Sequence, residues 1–260
     1  KGRPGWHVEC SAMSMNELGE SFDIHAGGVD LKFPHHENEI AQSESITGKD
    51  LAKVWMHTGP LRINKEKMSK SLDNFLTIRE AIKNHSPEVL RYFLLSSHYR
   101  SPIHYSKDAL EDAESAVERL YHSLLDVDET SKEISQGKHT KEFLEAMDDD
   151  FNVPEALAVV FELVKDINKK KKQGKKEEAK SLASELKFLC APLGLLRNNP
   201  KHFLRSGLVV DDSEINSLIK KREQARNEGD FQTADNIREE LLEKNIVLED
   251  SEEGTFWRKG

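Results

Sequence analysis

The chain has 260 residues, of which 37% are hydrophobic and 33% charged, and its formal net charge is −9. That apolar share suffices for packed cores and argues against general disorder. The negative balance excludes a uniformly basic nucleic-acid coat and leaves room for a local basic face.

Residues 1 to about 60 read as α/β. The opening "KGRPGWHVECSAM" has no Met start and no apolar signal-peptide core, and reads as an interior loop. The chain is therefore expected to be the C-terminal portion of something longer. "FDIHAGGVDL" is a strand-like run broken at Gly27-Gly28, and "AKVWMHTGPLRI" is another, broken at Gly59-Pro60. Between them, "PHHENEIAQSESI" has Pro34 suited to a first helical turn and acidic residues early, as a helix start prefers.

From about 76 to 125 the apolar period becomes 3.6. Two helices meet at Ser86-Pro87, and "SKDALEDAESAVERLYHSLLDV" places Leu110, Ala113, Ala116, Val117, Leu120 and Leu124 on one face. Residues 129 to 142 read as a polar linker. Two more amphipathic helices follow, "FNVPEALAVVFELVKDI" and "AKSLASELKFLCAPLGLL", joined by the lysine-rich "NKKKKQGKKEE". Those lysines read first as a solvated connection. Residues 76 to 197 are thus expected to form a helical bundle. Residues 212 to 243 are expected to form a helical pair, and "NIVLEDSEEGTFWRKG" a β-hairpin. No apolar run approaches the roughly 18 residues of a membrane span. Two distant cysteines suit a reducing, cytoplasmic setting, and Cys190, among Leu186, Phe188, Leu189 and Leu193, reads as a buried apolar residue.

Three constellations can carry chemistry. His35 and Glu39 lie one helical turn apart, so an imidazole and a carboxylate can converge on one ion, with Cys10 returned to it by a loop. One S, one N and one O donor suit tetrahedral zinc with an open position. His36 can replace His35, since i to i+3 also works, and spacing alone favours a solvated helix start beside a buried thiol. "KMSKS", Lys67 to Ser71, places two lysines and two serines where a loop can close over polyphosphate. "HAGGVD" ends a strand with glycines that let backbone approach a ligand, and Asp30 can bind ribose hydroxyls. Alone, that segment reads as an ordinary turn.

Taken together, "GWHVECSAM", "DIHAGGVDLKFPHHENEIAQSES", "WMHTG", "KMSKSL", "SPEVLRYFLLSSHYRS", "MDDDFNVPEAL" and "NIVLED…GTFWRK" resemble the cysteinyl-tRNA synthetases, a class I aminoacyl-tRNA synthetase family. The pieces follow the family's order across nearly the whole chain. The resemblance implies a multidomain α/β plus mostly α protein. Residues 1–60 would be the second half of a Rossmann-like catalytic domain and 61–100 a KMSKS-bearing stem-contact segment. Residues 101–200 would be a helical bundle and 205–260 an anticodon-binding domain. In the family a zinc ion is held by the cysteine of WHxEC, a histidine and a glutamate of HHENE, and one further cysteine nearer the N-terminus. The first three fall on Cys10, His35 and Glu39, which selects His35 over His36.

The resemblance further implies ATP with Mg²⁺, L-cysteine and tRNA(Cys) as partners of a monomer. Trp6 would line the amino-acid pocket, and Gly28 and Asp30 would meet adenosine. Lys70, assisted by Lys67, would stabilise charge on pyrophosphate. In the tail, Phe231 and Trp257 would stack on anticodon bases, while Arg226, Asp235, Arg238 and Asp250 would read base edges. The family's HIGH-type motif, its first β-α units and the remaining cysteine have no counterpart here, so this chain alone is expected to lack adenylation activity. Two rivals share much of the pattern: a same-fold ligase joining cysteine to a sugar amine, and a non-catalytic tRNA-binding module.

Overall fold

A computed structural model of the chain describes residues 2, 4–63, 66–67, 77–127, 137–205, 212–251 and 254–259. The chain divides into two units, Lys1–Ala113 with Leu144–Leu157, and Glu114–Phe143 with Ala158–Gly260.

The first unit opens with helix α1 (Trp6–Leu18), where the sequence suggested a loop. The helix was illegible because it has almost no buried stripe: only Ser11 is buried, and Trp6, Met13 and Leu18 are exposed. Strand β1 (Phe22–Gly28) follows, then a 3₁₀ turn (Val29–Leu31) and an irregular turn (Lys32–His36). Phe33 in that turn is extended, at φ −136° and ψ 132°, so regular helix α2 begins only at Glu37 and runs Glu37–Thr47. Strand β2 (Ala52–Thr58) then pairs in parallel with β1. The register sets His25 beside Trp55 and Gly27 beside His57. Because side chains alternate along a strand, His25, Trp55 and His57 share one face of this pair.

Gly59-Pro60 breaks the strand as expected, and β3 (Leu61–Ile63) lies between β4 (Glu66–Lys67) and β5 (Ile103–Tyr105). Helices α3 (Ile78–Asn84) and α4 (Pro87–Leu95) meet at the expected Ser86-Pro87 junction. Thr77 and Glu80 form a reciprocal capping box on α3, and Ser86 caps α4 with Pro87 in its first turn.

Helices α5 (Lys107–Ser123), α6 (Lys138–Asp148) and α7 (Val153–Lys172) have residues in both units, and α8 (Lys176–Cys190) and α9 (Pro200–Arg205) belong to the second. The linker expected over 129 to 142 ends early, because α6 already begins at Lys138. Its first inward residue is polar: Thr140 donates through N–H (3.0 Å) and Oγ1 (2.7 Å) to one carboxylate oxygen of buried Glu185. A long-range partner thus replaces the apolar residue that would have marked the helix. Val117, Leu120, Val160, Leu163 and Leu186 pack the core, and Cys190 is fully buried among it, as read from the sequence. Tyr121 stacks on Phe203 at 4.1 Å, and its hydroxyl accepts from the Asn198 N–H at 3.1 Å.

The tail is α10 (Asp212–Glu228), α11 (Phe231–Glu243) and the hairpin β6 (Ile246–Ser251) with β7 (Gly254–Lys259). Ile215, Ile219, Ile237, Leu241, Ile246, Leu248 and Trp257 make its core.

Two tail assignments are corrected by this arrangement. Trp257 is 1% exposed, opposite Leu248 in the hairpin, with Arg205 over its ring at 4.4 Å; no face remains for a base. Asp250 is already saturated. Its oxygens accept from Arg222 Nη1 and Nη2 (2.9 Å each), Arg226 Nη1 (2.8 Å) and Thr255 Oγ1 (2.7 Å). A carboxylate has about four lone-pair sites, so none is left for a base edge. Phe231, Asp235, Arg226 and Arg238 are exposed, although Arg226 spends one N–H on Asp250.

Candidate metal centre and nucleotide side

Glu39 of α2 reaches His25 of β1, with His25 Nε2 3.1 Å from its Oε2, and α1 packs on α2. Three chemically distinct donors converge there. The thiol of Cys10, an imidazole nitrogen of His35 and a carboxylate oxygen of Glu39 all lie within 4.8 Å of one another. His35 is one turn before Glu39 and its Nε2 is 3.1 Å from Glu39 Oε1. Glu39 is 1% exposed. Its second oxygen sits 3.1 Å from His25 Nε2 but has no aligned hydrogen-bond donor among the described residues. A buried carboxylate so placed is costly without a cation or further donors.

A second set, His25, His36 and Glu39, meets the same distance criterion and shares the carboxylate. Two observations separate the sets. His36 Nδ1 is engaged with His57 Nε2 at 2.9 Å, and the other side of its ring is packed on Gly27, where a Cβ would lie 2.8 Å from Cε1 and 3.0 Å from Nε2. Burial, reinforced by His25, His57 and His35, pushes the His36 pKa down to about 4, so it stands as a neutral wall. His35 instead has its Nδ1 held 2.7 Å from His7 Nδ1, so that Nε2 is the atom aimed at Glu39. One of those two Nδ1 atoms carries the shared proton.

Sequence reading found Cys10, His35 and Glu39 but gave no role to His7, His25 or His57. His25 is stacked on Trp55 at 4.5 Å, and burial lowers the His57 pKa, with Lys32 and Arg100 adding to it. The missing signal was the strand register, which alone brings "DIHAGG" beside "WMHTG". The Cys10 thiol pKa is raised, first by burial and then by the Glu39 charge. A metal would have to displace that proton to gain a thiolate ligand.

The other predicted residues lie around this centre or outside what is described. Gly28 ends β1, and a Cβ on it would lie 2.5 Å from Asp30 Oδ1, so the glycine lets Asp30 fold back on the strand end. Open parallel sheets place ligands at these C-terminal strand ends. Asp30 is exposed, and Trp6 is 78% exposed at the start of α1. Only the backbone of Lys67 is described, in β4, and Lys70 lies outside the described residues.

Comparison with known proteins gives three matches in chain order. Residues 1–115 match the catalytic domain of class I (C) tRNA synthetases, 142–197 a DALR domain, and 212–258 the cysteinyl-tRNA ligase anticodon binding domain. The fold agrees: a LeuRS–tRNA–LeuAMS complex from Agrobacterium radiobacter aligns with 66% of this chain and 25% of that chain, at TM-score 0.50 and 18% identity. Together these matches are to a catalytic domain of the class I aminoacyl-tRNA synthetases followed by helical DALR and anticodon-binding domains.

Closer relatives narrow this. A cysteine–tRNA ligase of Chromohalobacter salexigens is 52% identical over 259 residues, covering 98% of this chain and 56% of that protein. One from Coxiella burnetii is 52% identical over 260 residues, covering 100% and 57%. The chain thus spans about half the length of the curated relatives it matches. It belongs to the cysteinyl-tRNA synthetase family.

Proposed function

We propose that this chain contributes part of the active site and the tRNA-binding portion of an enzyme that ligates L-cysteine to tRNA(Cys), through a cysteinyl-adenylate formed from ATP. The observation that carries this reading is the convergence of Cys10, His35 and Glu39 in a chain of this family. The donors fit zinc: one soft sulfur, one imidazole nitrogen and a buried carboxylate short of aligned donors. Zinc would supply a soft partner for the substrate thiolate, which a serine hydroxyl cannot match. Shape alone separates substrates differing by one small group by about 10- to 200-fold, so thiol recognition of this kind supports selection without editing.

The chain's own residues act around that centre. His7 orients the His35 ring, the support that metal-ligating histidines commonly receive, and His25 Nε2 stands 3.1 Å from the second oxygen of Glu39. His36, Trp55 and His57 wall the site and restrict water. Trp6 lies toward the amino acid, while Gly28 and Asp30 at the end of β1 meet the adenosine. Lys70, with Lys67, stabilises charge on the pyrophosphate leaving from ATP, which would enter with Mg²⁺.

Four segments divide the work in this reading: 1–60 catalytic, 61–100 stem-contacting, 101–200 bundle and 205–260 anticodon-binding. In the last, Phe231 supplies an exposed stacking face, and Asp235, Arg238 and the free edge of Arg226 read bases. Among the described residues no helix is long and apolar enough to cross a membrane, and we place the enzyme in the cytoplasm as a monomer. The test is cysteine-dependent ATP–pyrophosphate exchange and charging of tRNA(Cys) by the complete protein. Transfer of cysteine to a sugar amine with no dependence on tRNA would contradict the assignment, as would tRNA binding without exchange.

A further inference from the structure

Asp150 and Phe151 are consecutive non-glycine residues at φ 52° and 54°. That left-handed region is uncommon for aspartate and strained for a bulky aromatic. They form the corner between α6 and α7, where Phe151 N–H donates to Met147 O at 3.1 Å and Asn152 Oδ1 accepts from the Glu155 N–H at 3.3 Å. Glycine would relieve the corner, so the side chain of Asp150 is the reason to look for a role.

Its carboxylate accepts from Tyr99 Oη at 2.6 Å and from Arg100 Nε and Nη2 at 2.5 and 3.0 Å. Arg100 first, and Tyr99 next, hold the Asp150 pKa down at about 2. As an exposed ion pair this contact would contribute little. Its meaning lies in what the two donors are attached to.

The turn at 98–101 is pressed onto Gly59, the residue that follows β2. Gly59 N–H donates to Tyr99 O at 2.8 Å, and a Cβ on Gly59 would lie 2.2 Å from Ser101 O. Only glycine permits that approach. Just beyond, Ile103 N–H donates to Pro60 O at 3.0 Å. Two residues before Gly59 is His57, whose Nε2 is 2.9 Å from His36 Nδ1. Contacts therefore run unbroken from the α6–α7 corner to the wall of the metal centre.

We propose that Asp150 is a positioning residue: it holds the Tyr99–Ser101 turn on Gly59, and so fixes the C-terminal end of β2 and the ring of His57 against His36. The kinetic arm of its test rests on the synthetase reading above, and the exchange arm does not.

In the complete protein, hydrogen exchange at the Gly59 amide is compared with exchange at Ser43 in α2. Asp150→Ala and Arg100→Ala should each speed Gly59 exchange about tenfold or more and leave Ser43 unchanged. The double variant should match Asp150→Ala, and Asp150→Glu should recover part of the protection. Asn152→Ala, which removes the α7 cap but not the carboxylate, should leave Gly59 protected. Cysteine-dependent pyrophosphate exchange should follow the same order, with kcat/KM about tenfold lower in Asp150→Ala and near normal in Asn152→Ala; small misplacements at a site can cost up to about 10². Unchanged Gly59 exchange in Asp150→Ala would overturn the proposal. So would equal acceleration at Ser43, an equal kinetic loss in Asn152→Ala, or full activity despite a loosened Gly59. If the unsubstituted protein shows no cysteine-dependent exchange, the synthetase reading has failed, and the Gly59 amide alone decides the positioning role.

Discussion

Replacing Asp250 with Asn tests how the C-terminal tail is held together. Arg222 is 5% exposed and gives two hydrogen bonds of 2.9 Å to Asp250. Breaking a fully buried pair typically costs about 3–5 kcal/mol, because the remaining charge is stranded. Here the Asp250 side chain is 45% exposed and Arg226 is 48% exposed, so water can partly replace the lost partner. Discounted for that screening, the expectation is about 2 kcal/mol. With a urea dependence of about 1–2 kcal/mol per molar for so small a unit, the midpoint should fall by roughly 1–2 M. The indole N–H resonance of buried Trp257 reports this unit separately from Trp6 and Trp55. The Asp250 carboxyl pKa is held well below its ordinary value, first by Arg222. Its contribution is therefore complete above about pH 4, the unfolded value, and is lost as pH falls through the depressed folded value. The gap between parent and variant should stay constant near neutrality and close only in acid. An Arg222→Met, Asp250→Asn double variant should recover part of the loss, because no buried charge is stranded. A midpoint shift under about 0.3 M, well short of the shift the slope implies, would refute the reasoning, as would a double variant less stable than Asp250→Asn.

Two further outcomes are expected. Glu185→Ala should cost about 1–3 kcal/mol in urea melts, because the buried Thr140 N–H loses its acceptor, and Glu185→Gln should cost less than half as much. Equal losses in the two would place the effect in packing instead. Lys70→Ala in the complete protein should slow single-turnover adenylate formation by about 10² to 10³ while cysteine affinity holds, the pattern of a group acting on transition-state charge. A parental rate would remove Lys70 from the chemistry.

What the sequence disclosed followed its periodicities. The i, i+4 spacing of His35 and Glu39 allows a shared ion but alone favours a solvated helix start, and it is the family resemblance that selects the ion; Ser86-Pro87 marks a helix boundary that the structure keeps. Helix α1 escaped because its apolar side chains are mostly exposed and its one buried residue is a serine. Helix α6 escaped because Thr140 faces inward toward a glutamate 45 residues away. The histidine wall escaped for a related reason: His25 and His57 become neighbours only through parallel strand pairing. In the tail, hairpin alternation, with Ile246 and Leu248 inward, places Trp257 in the core opposite Leu248 and away from the stacking role that the resemblance implies. The base-reading role that the resemblance implies for Asp250 fails because its partners, Arg222, Arg226 and Thr255, are scattered along the sequence and meet only in the fold.

The central claim is that Cys10, His35 and Glu39 hold zinc, and metal analysis of the complete protein tests it most directly. The unsubstituted protein should carry about one zinc per chain, as a single tetrahedral site would. Cys190→Ala should match it, because that thiol is buried elsewhere in the helical core. Cys10→Ser, which removes the sulfur and keeps the shape, should fall well below half. Full zinc stoichiometry in Cys10→Ser, or none in the unsubstituted protein, would contradict the account.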